Sequence, residues 1–252
     1  RPFAKDGSGQ FVVYGEEFTF STRNFDEMKV DMGLPSGIQW ASCNLDAESP
    51  IEYGNYYSWG SIVPNTYASS YKSCWLYDAS GDTCIYVGEI SGTDKDPAHV
   101  RLGGKWRMPT KDDIAELIDN CQIEDCLYQG MYVLQFTARN GAAIRIPYSG
   151  SMADGHIRYR FKDGKARLDE NDDYGNTVLY VSIPSGTQYF NGSKSRLASI
   201  WGYFVLYEDY NTMEYSEVIN YDGKSSVSCV GLMHMGKATE GVPVRPVWDP
   251  NL

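Results

Sequence analysis

No run of about 18 apolar residues occurs anywhere in the chain, so no segment reads as a bilayer-spanning helix. Basic residues are the second shortage: 22 Lys and Arg against 33 Asp and Glu give a formal charge of −11. A nucleic-acid surface needs a basic face from which counterions are released, so this balance argues against nucleic acid and against an anionic membrane surface. Histidine is scarcer still, with His99, His156 and His234 far apart in sequence, and no Cys-x-x-Cys pair occurs. The usual framework of a structural zinc site is therefore missing. Also missing is Gly-x-x-x-x-Gly-Lys-Ser/Thr, the loop that wraps nucleotide phosphates. The chain has no signal peptide and opens at Arg1-Pro2 without Met, which predicts a mature form whose export signal has been removed.

What the 252 residues do hold is aromatic side chains, 20 Tyr, 6 Trp and 9 Phe, together with 25 Gly. That composition suits a β-rich, loop-rich exported protein, and a chain of this length buries enough surface for an ordinary core. Six cysteines (Cys43, Cys74, Cys84, Cys121, Cys126 and Cys229) permit disulfides without requiring them. Cys74 and Cys84 flank a Gly81-Asp82 turn that could bring them together, whereas a bridge between Cys121 and Cys126 is geometrically demanding. Buried free thiols are the equal alternative.

Residues 1–27 mix short apolar pieces with Gly and charge and read as an arm or leading hairpin, ahead of a single domain over 28–252. "GIQWASCNL" (37–45) alternates as a half-buried strand, and "YGNYYSWG" (53–60) is an aromatic one. Residues 61–100 lack a sustained period and read as long surface loops. One helix is predicted at about 110–121, and the loop-rich segment has room for a weaker second one that the sequence does not place. Thr110 can cap the first by accepting from the amide of Asp113, and Ile114, Leu117, Ile118 and Cys121 share one face. Hairpins are predicted at Asn140-Gly141, Asp163-Gly164 and Asp222-Gly223. The prolines of "VPVRPV" (242–247) place that strand at a sheet edge or bulge. The class is α+β: irregular antiparallel sheets, few helices and long loops.

The stretch "LGGKWRMPT" (102–110) puts a glycine pair ahead of a helix N-terminus, where an anion could be cradled. Trp106 and Pro109 break the nucleotide-loop pattern, and a structural corner is the stronger reading. Gly104 would turn the chain, Trp106 would enter the core and Arg107 would pair with a carboxylate or carbonyls. Pro109 would then lead the chain into its cap.

Several segments resemble, in order, the Fibrobacter succinogenes major paralogous domain family. They are "DMGLPSGIQWASCNL" (31–45), "EYGNYYSWG" (52–60), "DPAHVRLGGKWRMPTKDDIAELIDNC" (96–121), "FTARNGAAIRIPYSG" (136–150) and "VPVRPV" (242–247). The resemblance covers about 28–249, although "RLASIWGYFVLY" (196–207) departs from the Tyr-Trp-Ser-Ser segment of other members. It implies a C-type-lectin-like fold, similar to that of formylglycine-generating enzymes. It also implies bacterial export to the cell or outer-membrane surface, often with a lipid anchor upstream. Those enzymes bind copper through two C-terminal cysteines, but here Cys229 has no second thiol in the last third, so that oxidase activity is not expected. Cys229 and His234, five apart on a strand, fall on opposite faces and do not read as a nucleophile pair. The sugar-binding calcium loops of true C-type lectins are absent too. The acidic "LDENDDYGN" (168–176) is where calcium could find oxygens, yet Tyr174 and Tyr180 break the EF-hand pattern. No cofactor is expected.

The candidate ligand residues lie in "WGYFVLYEDYNTMEYSE" (201–217): Trp201, Tyr203, Tyr207, Tyr210 and Tyr215 beside Glu208, Asp209 and Asn211. Aromatic faces stack on sugar rings while acids and amides bind hydroxyls, although a sheet would bury half of such tyrosines. The expected function is a non-catalytic surface domain that binds a glycan or protein ligand, as an adhesin or accessory component. Two alternatives stand beside it. One is an enzyme related to sulfatase-modifying oxidases with an unrecognised site; the other is a structural pilus or envelope component.

Overall fold

The computed structural model describes residues 3–5, 11–14, 25–65, 67, 75–76, 85–153, 156–158, 160–162, 165–167, 178–189, 199–208, 227–235 and 238–252. For 3–5, 11–14, 158, 160–162, 165–167, 178–182, 189, 199–208 and 227–235 the description covers the backbone alone. Among the described residues, two α-helices and several small antiparallel sheets make a mixed α+β structure.

At the N-terminus, β1 (Phe3–Lys5) pairs with β2 (Phe11–Tyr14). Next come β3 (Lys29–Val30), β4 (Gln39–Ala41) and β5 (Tyr56–Tyr57), then α1 (Pro97–Leu102) and β6 (Trp106–Arg107). The helix α1 lies inside the stretch expected to be loop. Six residues are too few to show a period, but its start is chemically marked: the Asp96 carboxylate accepts from the amides of Ala98 and His99, and Pro97 follows at the first turn.

The predicted helix is α2 (Lys111–Asn120). Thr110 Oγ1 accepts from the amide of Asp113 at 3.2 Å, and Asp113 Oδ2 accepts from the amide of Thr110 at 2.6 Å, so two of the unpaired donors at the helix start are met reciprocally. Ile114 and Leu117 are fully buried, with Ile118 and Cys121 packed alongside. Cys121 is already extended and opens β7 (Cys121–Tyr128), which pairs with β8 (Met131–Ala138) around Gln129 and Gly130, both at positive φ. β8 then pairs with β9 (Ala143–Pro147) around Asn140-Gly141, as the sequence predicts.

Three two-stranded and three-stranded units follow. β10 (Ser151–Ala153) pairs with β11 (His156–Arg158), and β12 (Arg160–Lys162) pairs with β13 (Lys165–Arg167) around the predicted Asp163-Gly164 turn. β14 (Val178–Tyr189), β15 (Ser199–Glu208) and β16 (Val227–Met235) form the longest sheet. The predicted Asp222-Gly223 turn lies outside the described residues.

Next are β17 (Val242–Pro243), whose one partner among the described residues is β5, and β18 (Val247–Trp248). Against the edge expectation, β18 lies inside a sheet of order β3-β4-β18-β6. Pro246 immediately precedes this strand, outside the paired residues, and its carbonyl accepts from the amide of Ala41 at 2.9 Å. Pro246 is tolerated because it stands outside the ladder, whereas Pro243 pairs with Tyr56 in β17, within a two-stranded sheet whose edges can accommodate a proline.

The main core joins α2, the four-stranded sheet, β7 to β9 and β14 through Trp40, Ile114, Leu117, Phe136, Ile144, Tyr148, Ile183 and Val247. Each large side chain buried there contributes roughly 1.5–3 kcal/mol relative to exposure. Cys43, Cys121 and Cys126 are free thiols. Cys121 and Cys126 stand on one extended strand, roughly 16 Å apart and on opposite faces, so the bridge weighed from their spacing cannot form. Cys74 and Cys84 lie outside the described residues, as does the acidic stretch 168–176.

Candidate functional site

The corner at 102–110 is a structural device. Arg107 Nη1 donates to Asp113 Oδ2 at 2.6 Å and to the Met108 carbonyl at 2.9 Å, while Nε donates to Asp249 Oδ2 at 2.9 Å. One buried guanidinium therefore ties the start of α2 to the C-terminal segment. Burial opposes the charge of Arg107, but the two carboxylates outweigh it and hold its pKa above the usual arginine value. Asp96, also buried, accepts from the amides of Gly92 (2.8 Å) and Met108 (2.7 Å) besides its capping bonds. Burial raises its pKa despite these four donors. Trp106 is buried, as the sequence predicts. The donors and acceptors of this corner are consumed within the fold.

A second polar cluster is likewise self-satisfied. Asp46, at positive φ, accepts from Arg101 Nε (3.0 Å) and Nη2 (2.6 Å), from Asn55 Nδ2 (3.0 Å) and from the hydroxyl of Tyr57. Burial works against ionisation of Asp46, yet these donors overturn it and its pKa falls below the ordinary carboxylate value. Burial, reinforced by Asp46, pushes the Tyr57 phenol well above its ordinary value. The fully buried Arg245 donates to Asn44 Oδ1 and the carbonyls of Ala41 and Arg145, and burial, opposed by Cys43, brings its pKa down to about 10.

Among the described residues, one part-exposed feature is aromatic. Trp75 stacks on Trp59 with ring centroids 5.7 Å apart and planes 7° from parallel, and its Nε1 donates to the Trp59 carbonyl at 3.0 Å. Trp59 is buried whereas Trp75 is 38% exposed. Gly60, at φ +77°, makes this stack possible, since a Cβ there would lie 2.5 Å from the Trp75 indole nitrogen. Beneath, Trp59 Nε1 donates to the Ser185 carbonyl at 3.0 Å. Ser185, Gly186 and Thr187 form an irregularity in β14 that is fixed from several sides. The Gly186 amide donates to Pro109, its carbonyl accepts from Ile90, and Thr187 Oγ1 accepts from the amide of Lys111.

Beside the stack, the buried Gln188 holds residues 85–88 by its side-chain amide. Its Oε1 accepts from the amide of Val87 at 2.6 Å, and its Nε2 donates to the Ile85 carbonyl at 3.0 Å. Ile85, Tyr86 and Val87 are exposed on that segment, with Ile62 and Val63 also exposed beyond Gly60. The cavity under the platform, about 10 Å³ and lined by residues that include Trp59, Pro97, Met108 and Pro184, has room for roughly one water. A ligand would thus lie on the platform and not behind it. Lys95 Nζ stands 5.6 Å from the Trp75 ring centroid and has no acidic partner among the described residues.

Of the residues singled out from sequence, Trp201, Tyr203, Tyr207 and Glu208 lie on β15, with Tyr203 paired to Ile183, Tyr207 to Leu179 and Glu208 to Val178. Their side chains, and Asp209, Tyr210, Asn211 and Tyr215 altogether, lie outside the described residues. Sequence reading missed Trp75 and Lys95 because both sit in aperiodic loop. The Trp59-Gly60 dipeptide was the available signal, since a glycine beside an aromatic residue leaves room for another ring. Among the described residues no group of acidic, histidine or cysteine side chains is arranged to hold a metal ion, and no helix is long and apolar enough to cross a membrane. Comparison of the chain with models of known families, with curated proteins and with solved structures finds no match.

Proposed function

We propose that this chain is an exported, non-catalytic domain of C-type-lectin-like fold that binds a glycan or protein ligand at the bacterial cell surface, as an adhesin or accessory component. The observation that carries the reading is the part-exposed Trp75, stacked on buried Trp59 and hydrogen-bonded to its carbonyl. An aromatic face fixed in advance loses little conformational freedom on binding, and such rings dominate recognition surfaces. The resemblance of residues 28–249 to an exported lectin-like family supports the same reading, and the mixed α+β architecture is compatible with it. The residues at 201–217 would extend the ligand surface. A glycan array run in parallel with a pull-down from surface extracts tests the reading: one class of ligand should be retained and should be lost with Trp75→Ala. A folded protein that retains neither glycan nor protein overturns it.

A further inference from the structure

We infer that the Trp75 platform takes a carboxylated pyranose, the uronate or sialate class of acidic sugar, with the ring against the indole and the carboxylate on Lys95. This rests on the binding reading above and narrows it to one ligand chemistry. Three observations converge. The Trp75 indole is fixed by its stack on Trp59, by the Nε1 bond to the Trp59 carbonyl and by close contact with Gly60, leaving a half-open apolar face. Pyranose rings present apolar C–H faces to such a surface. Second, Lys95 Nζ lies over that ring, 5.6 Å from its centroid and within cation–π range, so a ligand ring taking the face displaces the ammonium toward the ligand's own carboxylate.

The third observation is charge. In a chain of net charge −11, several cations are spoken for: Lys29 by Asp26, Arg101 by Asp46, and Arg107 by Asp113 and Asp249. Lys95 has no acidic partner among the described residues, and its side chain lies against the Trp75 ring. An anionic ligand group supplies the missing partner, whereas a cationic one would be repelled. The acidic surroundings then make the contact local, because elsewhere the surface discourages anions.

The test titrates the intact chain with oligogalacturonate, with a sialylated trisaccharide and with neutral oligosaccharides of matched length, following tryptophan fluorescence and heat. The acidic probes should bind and quench fluorescence, more weakly as salt rises. Which of the two binds more tightly distinguishes uronate from sialate. Lys95→Gln should weaken acidic binding about threefold, as for an exposed ion pair, and Lys95→Glu should weaken it further, both by more than they change any neutral binding. Trp75→Ala should weaken every sugar by at least tenfold, with circular dichroism as the check on folding. Neutral sugars binding as well as acidic ones, or indifference to Lys95→Glu, overturns this inference while leaving the binding reading intact. Absence of any sugar binding, with a protein retained on the pull-down, overturns it likewise, and absence of both overturns the two together.

Discussion

A methyl group on Gly186 would stand 2.7 Å from the amide nitrogen of Ser91 and 2.5 Å from Glu89 Oε1. The Ser91 amide is backbone and cannot rotate aside, so Gly186→Ala should lower the free energy of unfolding by about 1–3 kcal/mol, read from urea denaturation. Because the neighbouring Ser185 carbonyl seats Trp59, the same variant should shift tryptophan emission to the red. Cys121 gives a chemical counterpart. Burial raises its pKa to about 11, leaving about one thiolate in a thousand at pH 8. Alkylation of Cys121 in the folded protein, followed by peptide mass, should be far slower than in urea and should rise about tenfold per pH unit. At this scale the sequence was legible wherever partners are local. Thr110 and Asp113 announce each other three residues apart. The constraint on Gly186 comes from Ser91, across the fold, and leaves no trace in the residues around it.

At the scale of elements, α2 was legible for the same reason: cap, acidic first turn and apolar face all lie within a dozen residues. Thr110→Ala removes one half of its capping box and should cost about 1 kcal/mol, a fall of roughly 2–4 °C in Tm. The helix is also held from outside by Asp249 through Arg107, a connection made across most of the chain. This connection has a pH signature. Burial raises the pKa of Asp249, but the Asn251 amide and Arg107 more than compensate and the folded value lies below the ordinary 3.8. A depressed carboxyl stabilises the fold fully above its unfolded pKa and loses that contribution as pH falls through the folded one. Asp249→Asn should therefore destabilise the protein at pH 7, with the gap from wild type narrowing below about pH 4 in matched urea titrations. Short elements were harder to read. The start of α1 is marked locally by Asp96 and Pro97, but over six residues, as over the two-residue strands, periodicity has nothing to register.

For the molecule as a whole, the least legible feature is closure by the chain's last residues. Their prolines argue for an edge, yet β18 joins β4 to β6, which do not pair with each other. The platform was illegible on the same grounds: Trp59, Trp75, Lys95 and Ser185 meet only once this closure has brought their loops together. Trp59 shows the dependence, since its amide donates to the Ala238 carbonyl at 3.1 Å, just ahead of β17. Arg245 adds to it, linking the carbonyls of Ala41 and Arg145 with the Asn44 side chain from a fully buried position. Ending the chain at Gly241 would strip β6 of its partner, leave those acceptors unpaired in the interior and free Arg107 from Asp249. Buried acceptors left unmet cost about 1–3 kcal/mol each, and a guanidinium deprived of one carboxylate costs more, which together approach the whole stability of a domain. The shortened chain should lose its near-ultraviolet dichroism and its cooperative thermal transition. A chain ending at Pro250 keeps every ladder pair and Asp249, and should melt within a few degrees of the full protein. If both shortened forms melted alike, closure by β18 would not be what holds the four-stranded sheet.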